Sequence, residues 1–144
     1  MRTLAFVSMA LITFALVYMV ATSCGMKADV EYQQYYNQGE VLYVKHCSNC
    51  HQKDGKGLGL LYPPLNKSDF MEENFDQVLC IMRNGKATPT VVNGKTFGQP
   101  MKGVAALTDL DIAEIATYIY NTWDHQRGIV HVNEVTPKME NCKE

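Results

Sequence analysis

Cys47, Cys50 and His51 stand together in KHCSNCHQKDGKG, residues Lys45–Gly57. Side chains three apart lie on one face of a helix, so two thiols at this spacing can grip one edge of a flat ligand. A histidine directly after the second thiol completes Cys-x-x-Cys-His, the attachment signature of c-type haem. The two sulfurs bond the vinyl groups of the porphyrin, and the imidazole of His51 lies under the iron as proximal ligand. Two other chemistries use paired cysteines. A thioredoxin-like dithiol expects an α/β chain, which the pattern here does not suggest. A zinc site needs a second Cys/His pair at ligand spacing, and His125 with His131 is a poor match.

A six-coordinate iron needs a ligand on its other face. After His51 the methionines are Met71, Met82, Met101 and Met139. Met71 stands in the acidic start of DFMEENFDQVLCIMRNG, and Met82 near the end of that segment reads as core packing. Met101 lies in GKTFGQPMKGVAALTD, where glycines and a proline let backbone approach a porphyrin face. It is the expected sixth ligand; another methionine, a histidine or an open site are the alternatives. Thioether opposite imidazole raises the reduction potential and fills the position a substrate would need. That chemistry is electron transfer, with no catalytic residue. An open sixth site would instead suit a haem peroxidase or ligand sensor.

These residues need elements to position them. LTDLDIAEIATYIYNTW is the clearest helix: Thr108 suits the N-cap, Asp111 the capping-box position, and Ile112, Ile115, Ile119 and Trp123 form one stripe. Asn93-Gly94 predicts a tight turn in a β-hairpin over about Thr90–Phe97 that covers one haem edge. GIVHVNEVTPKMENC reads as extended. His46, His125 and His131 read as surface residues. Arg83, at the end of the middle helix, is a candidate to neutralise a haem propionate, with a solvated surface arginine as the plain alternative.

The N-terminus differs in kind. After Arg2, LAFVSMALITFALVYMVATSC carries no charge, and Ala21, Thr22 and Ser23 lead into Cys24. This resembles a bacterial lipoprotein signal with Cys24 as the lipidated residue. An uncleaved membrane helix and plain cleavage are alternatives. Of the five cysteines, Cys24 then takes lipid, Cys47 and Cys50 form the motif, and Cys80 and Cys142 remain as a pair. An exported protein permits a disulfide between them, with two unrelated thiols as the other reading. The formal net charge of −2 and the absence of a basic run argue against nucleic acid. Lys45–Lys102 holds eight Lys or Arg and five acids, against a negative remainder, a distribution suited to steering an acidic partner.

GEVLYVKHCSNCH, with Gly39 and Tyr43 before the cysteines, and DGKGLGLLYPPLNKSDF, with its glycine loop and Pro-x-Leu, resemble class I c-type cytochromes over roughly residues 38–123. The resemblance implies a mainly α class I cytochrome c fold, its helices packed around one covalently attached haem c, with a small β-hairpin insertion near residues 90–97. It implies that the Pro63 carbonyl accepts the Nδ1–H of His51, and that Tyr118 meets Gly39 and Tyr43 where the last helix crosses the first. It places the axial methionine just before the last helix, although Pro100 here precedes Met101 where the family often has the reverse order. The implied layout is a signal peptide at 1–23, a membrane tether at 24–38 and a cytochrome domain at 39–144. The chain is also similar to small bacterial lipoprotein cytochromes. By that likeness it is exported and membrane-anchored, facing the periplasm. A membrane quinol-oxidising complex would serve as donor, and a terminal oxidase or a reductase such as nitrous oxide reductase as acceptor. A fixed haem subunit of a larger respiratory complex is the alternative.

Overall fold

The computed structural model describes residues 2–142, with side chains of the first helix described at 11–15, at 18 and from 29 onward. The chain divides into two units, Met1–Gln34 and Tyr35–Glu144. Helix α1, Arg2–His46, contributes to both. In the first unit Leu11, Ile12, Phe14 and Tyr18 are exposed. Among the described residues no helix is long and apolar enough to cross a membrane. The side chain of Cys24, and with it the expected lipid attachment, lies outside those described, as do most side chains of the expected signal peptide.

The second unit starts four residues before Gly39, the expected start of the domain. Tyr35 and Tyr36 pack on its core, and the Tyr36 ring lies 5.2 Å from that of Tyr118. Two aromatic anchors therefore draw the end of the expected tether into the folded body. Helix α5 (Asp109–Ile119) is the centre of that body, with Ile112, Ala113, Ile115 and Ala116 almost completely buried. Thr108 and Asp111 cap it reciprocally, each side chain bonding the other residue's backbone N–H. Hydrogen bonds from Thr108 hold the Asp111 carboxyl below its ordinary pKa.

Helices α1 and α5 touch backbone to backbone at Gly39, where an added Cβ would stand 2.0 Å from the Glu114 carbonyl oxygen. Gly39→Ala is expected to push the helices apart and lower stability by about 3 kcal/mol, the upper end of ordinary overpacking. Denaturant unfolding checks this, and an unchanged midpoint would show that the crossing yields freely.

The middle segment folds as two helices, α3 (Asp69–Glu73) and α4 (Phe75–Asn84). Ser68 caps α3 by accepting from the Met71 N–H, and the break falls at Asn74, with φ −125° and ψ 41°. Strand β1 (Gly85–Lys86) follows, then β2 (Thr90–Val92), β3 (Lys95–Phe97) and β4 (Met101–Lys102). β2 and β3 form the expected hairpin, Thr90 opposite Phe97. Asn93 and Gly94 both take positive φ, 51° and 71°, as a two-residue turn of this twist requires. The hairpin is tied to α3 by Asp69 and Asn93, each side chain accepting the other's backbone N–H. β1 pairs with β4, Lys86 opposite Met101.

The tail corrects the sequence reading. Val132–Glu140 is not extended but helical, α6, with Pro137 inside it. Proline removes one intrahelical hydrogen bond and usually disfavours a helix interior. Here burial of Val135 and Met139 and a disulfide from Cys142 back to Cys80 on α4 offset that cost.

Candidate functional site

The second unit contains a cavity of about 540 Å3, within the usual range for a small-molecule or cofactor site. Cys47, Cys50, His51, Pro63 and Met101 all line it. The motif begins where α1 ends: Cys47 is a turn residue, and α2 (Ser48–His51) continues as one further turn. The N–H groups of Cys50 and His51 both donate to the Cys47 carbonyl, at 3.1 and 3.0 Å. Both thiols are free. Burial, with a smaller contribution from the neighbouring Cys50, pushes the Cys47 thiol up to about 12. A reactive dithiol needs the opposite shift.

His51 is buried. Its Nδ1 lies 3.0 Å from the Pro63 carbonyl oxygen. A carbonyl only accepts, so Nδ1 carries the proton and Nε2 carries the lone pair. Burial lowers the pKa of the ring, and the Pro63 bond partly opposes it. Neutral imidazole with one nitrogen fixed by a backbone acceptor is the form that ligates iron.

The glycine loop makes that bond possible. Gly57 has φ +67°, donates its N–H to the His51 carbonyl at 3.0 Å, and lies so close to the loop's return that a Cβ would stand 2.2 Å from the Tyr62 oxygen and 2.6 Å from the Pro63 oxygen. Gly57→Ala is expected to displace the Pro63 carbonyl and cost about 2 kcal/mol through the positive φ alone. With donation from the ring weakened, the reduction potential of the holoprotein should rise. Redox titration and thermal unfolding read the two effects; an unmoved potential would detach Pro63 from ligand tuning. Tyr43, fully buried, donates its hydroxyl to the Gln52 carbonyl at 2.6 Å and so ties α1 to the residue after His51. Its phenol is held well above its ordinary pKa, chiefly by burial, and remains a donor.

Met101 reaches the cavity from β4. Two further glycines permit the close pairing behind it: a Cβ on Gly85 would stand 2.5 Å from the Met101 carbonyl oxygen, and one on Gly103 would stand 2.4 Å from backbone of residues 83–85. The hairpin supplies another wall, with Val92 and Phe97 buried and lining the cavity. Met71 and Met82 line it as well, although Met82 reads from sequence as core packing.

Several expected positions differ. Arg83 is not a lining residue. Its Nε donates to the Leu107 carbonyl at 3.0 Å, and its guanidinium pairs with Asp109. It ties α4 to the start of α5 rather than turning to the cavity, because a carboxylate at the first turn of α5 already neutralises it. His46 lines the cavity. His125 is buried, not exposed. Its Nε2 donates to the Leu65 carbonyl at 3.1 Å, its ring packs on Tyr120, and the Tyr120 hydroxyl donates to the Met71 carbonyl at 2.8 Å. Local sequence carries little sign of this, because the hydrogen-bond partner Leu65 lies 60 positions away; the one weak signal is the place of His125 just after Trp123. Cys80 and Cys142 are joined away from the cavity.

The site is therefore an apolar slot with two adjacent thiols, an oriented imidazole and a thioether. A covalently held haem fits these residues: the two thiols would hold it, and Nε2 of His51 and the sulfur of Met101 would be its candidate iron ligands.

Comparison with known proteins agrees with this fit. Residues 34–119 match the family described as "Cytochrome C oxidase, cbb3-type, subunit III". The chain is 29% identical over 101 residues to the cytochrome c subunit of a quinone alcohol dehydrogenase from Gluconacetobacter polyoxogenes, covering 68% of this chain and 21% of that protein. It is 24% identical over 95 residues to cytochrome c-552 from Thermus thermophilus, covering 63% of this chain and 72% of that protein. The chain thus spans about a fifth of the length of the first of these relatives.

Proposed function

The chain belongs to the class I c-type cytochromes, in the family matched by the cbb3-type oxidase subunit III description, and from that premise we propose that it is an exported, membrane-held carrier of single electrons for a respiratory chain. The haem c of this family supplies the Fe(III)/Fe(II) couple. Cys47 and Cys50 would hold the macrocycle, and His51 would present Nε2 to the iron with Pro63 retaining the proton on Nδ1. Met101 would occupy the remaining face, denying it to water and substrate. The observation that carries the reading is the convergence of Cys47, Cys50, His51 and Met101 on one apolar cavity.

Export and anchoring are supported by the apolar N-terminal stretch ending at Cys24. The donor would be a membrane quinol-oxidising complex, and the acceptor a terminal oxidase or a reductase such as nitrous oxide reductase. Mass spectrometry of the secreted protein tests the core of this reading. A mass lacking one covalently added porphyrin would end it. A near-infrared sulfur-to-iron charge-transfer band in the oxidised protein is the second expected signature; an iron that readily binds carbon monoxide at rest would overturn the carrier role.

A second reading is favoured by the family match and by the first relative, whose name makes it a subunit of a dehydrogenase. The chain would then pass electrons as a fixed part of a larger complex. Co-purification with a membrane complex in mild detergent separates the two. In either case the basic segment Lys45–Lys102 should steer an acidic partner. Second-order rates with such a partner are expected to fall several-fold between low and physiological ionic strength. Rates indifferent to salt would remove steering.

A further inference from the structure

A cofactor with two carboxylates must place them somewhere, and an apolar slot is a poor solvent for negative charge. Arg83 is committed to Asp109 and does not line the cavity. Among the described residues, the lysines and arginines that line it are Lys86 and Lys102. His46 also lines it but directly precedes Cys47, at the thiol edge. Carboxylates and vinyl groups occupy opposite edges of the macrocycle, so His46 is at the wrong end.

We propose that Lys86 and Lys102 form the binding site for the two haem carboxylates. Both lie on the β1–β4 ribbon, Lys86 directly opposite Met101 and Lys102 opposite Gly85. Residues directly opposite in an antiparallel pair share a face and successive residues alternate, so Lys86 stands on the same side of the ribbon as Met101, while Lys102 stands on the other side and borders the cavity from its exposed rim. Lys86 is half-buried and Lys102 exposed, which suits one carboxylate inside the mouth and one at its rim. The Lys86 ammonium donates to the Thr88 hydroxyl at 2.8 Å, an interaction that holds it at the mouth and leaves two of its protons for a carboxylate. The same short ribbon would then carry both the thioether for the iron and the cations for the cofactor's charged edge.

This assignment rests on the haem reading above. The test uses the intact holoprotein and its reduction potential, read at one fixed pH by mediated titration. A cation near the iron favours Fe(II) over Fe(III). Lys86→Gln and Lys102→Gln should therefore each raise the Fe(III)/Fe(II) ratio at a given ambient potential by about 3- to 10-fold, as one charge at this range in a partly wet site would. Lys86→Arg and Lys102→Arg should stay near wild type. The charge-transfer band must persist in all four, because both lysines neighbour Met101. A changed propionate bending mode in resonance Raman spectra should accompany each Gln variant. Potentials equal across wild type, Gln and Arg variants would overturn the assignment while leaving the carrier reading intact. Loss of the band in the Gln variants would also overturn it, because the effect would then belong to iron ligation. A wild-type mass without porphyrin would overturn both.

Discussion

Met101→Ala is expected to abolish the near-infrared charge-transfer band, open the iron to carbon monoxide and lower the reduction potential by roughly 0.2 V, a share of the span that axial ligands control. The direction follows from the sulfur. A thioether is a soft, weakly basic ligand that favours Fe(II), and its loss leaves water or a harder donor that favours Fe(III). The size depends on whether another side chain can take its place. Met71 and Met82 line the same cavity, but both are buried in the packing of α3 and α4. Met101 stands on a two-residue strand held by one pairing and backed by two glycines. A sulfur on such a ribbon can meet an iron without disturbing a helix. Stability should fall less than the potential, because Met101 is only partly buried. If the band survives in Met101→Ala, the ligand is Met71 or Met82, and pairing each with Met101→Ala would identify it.

Removing the Cys80–Cys142 disulfide, by Cys142→Ser with Cys80→Ser, should cost about 4 kcal/mol on the chain-entropy account of a loop this long; the two residues are 62 positions apart. The bond fastens α6 to α4, and α6 is poorly equipped to stand alone. Pro137 interrupts its hydrogen bonds, and its N-cap, His131, makes no side-chain capping bond. Denaturant midpoints of the oxidised protein and the double variant measure the loss. Neither cysteine lines the cavity, so the haem spectrum of the folded variant should match wild type at low temperature. A spectrum altered along with stability would mean that α6 supports the site through α5. A midpoint shift below about 1 kcal/mol would mean that packing of Val135 and Met139 already holds the tail, so that the link constrains little.

How far these elements can be read in advance depends on the range of the forces that set them. Cys47, Cys50 and His51 lie within five residues, and one helical turn is enough to align them. The Asn93-Gly94 turn and the Thr108–Asp111 cap are equally local, and the structure forms both where their residue types demand. The middle segment was harder. Its composition suits a single helix, yet it breaks at Asn74, between a first turn capped by Ser68 and a second helix whose Val78, Leu79 and Met82 face the core. Arg83 shows a different limit. An arginine in a haem protein invites pairing with a propionate, but Asp109, 26 positions later, reaches it first.

The chemistry of this chain was written into short spans of residues. Thiols at helical spacing, an adjoining imidazole, glycines that admit positive φ and a methionine between flexible residues each act within a few positions, where bond geometry and local hydrogen bonds decide. Other features waited on the assembled fold: the helix of the tail in spite of Pro137, the burial of His125 against Leu65 and Tyr120, the entry of Tyr35 and Tyr36 into the domain, and the diversion of Arg83 to Asp109. Each depends on partners distant in sequence. Burial and long-range pairing can outweigh local propensity by several kcal/mol, and no local pattern records which distant partner will arrive.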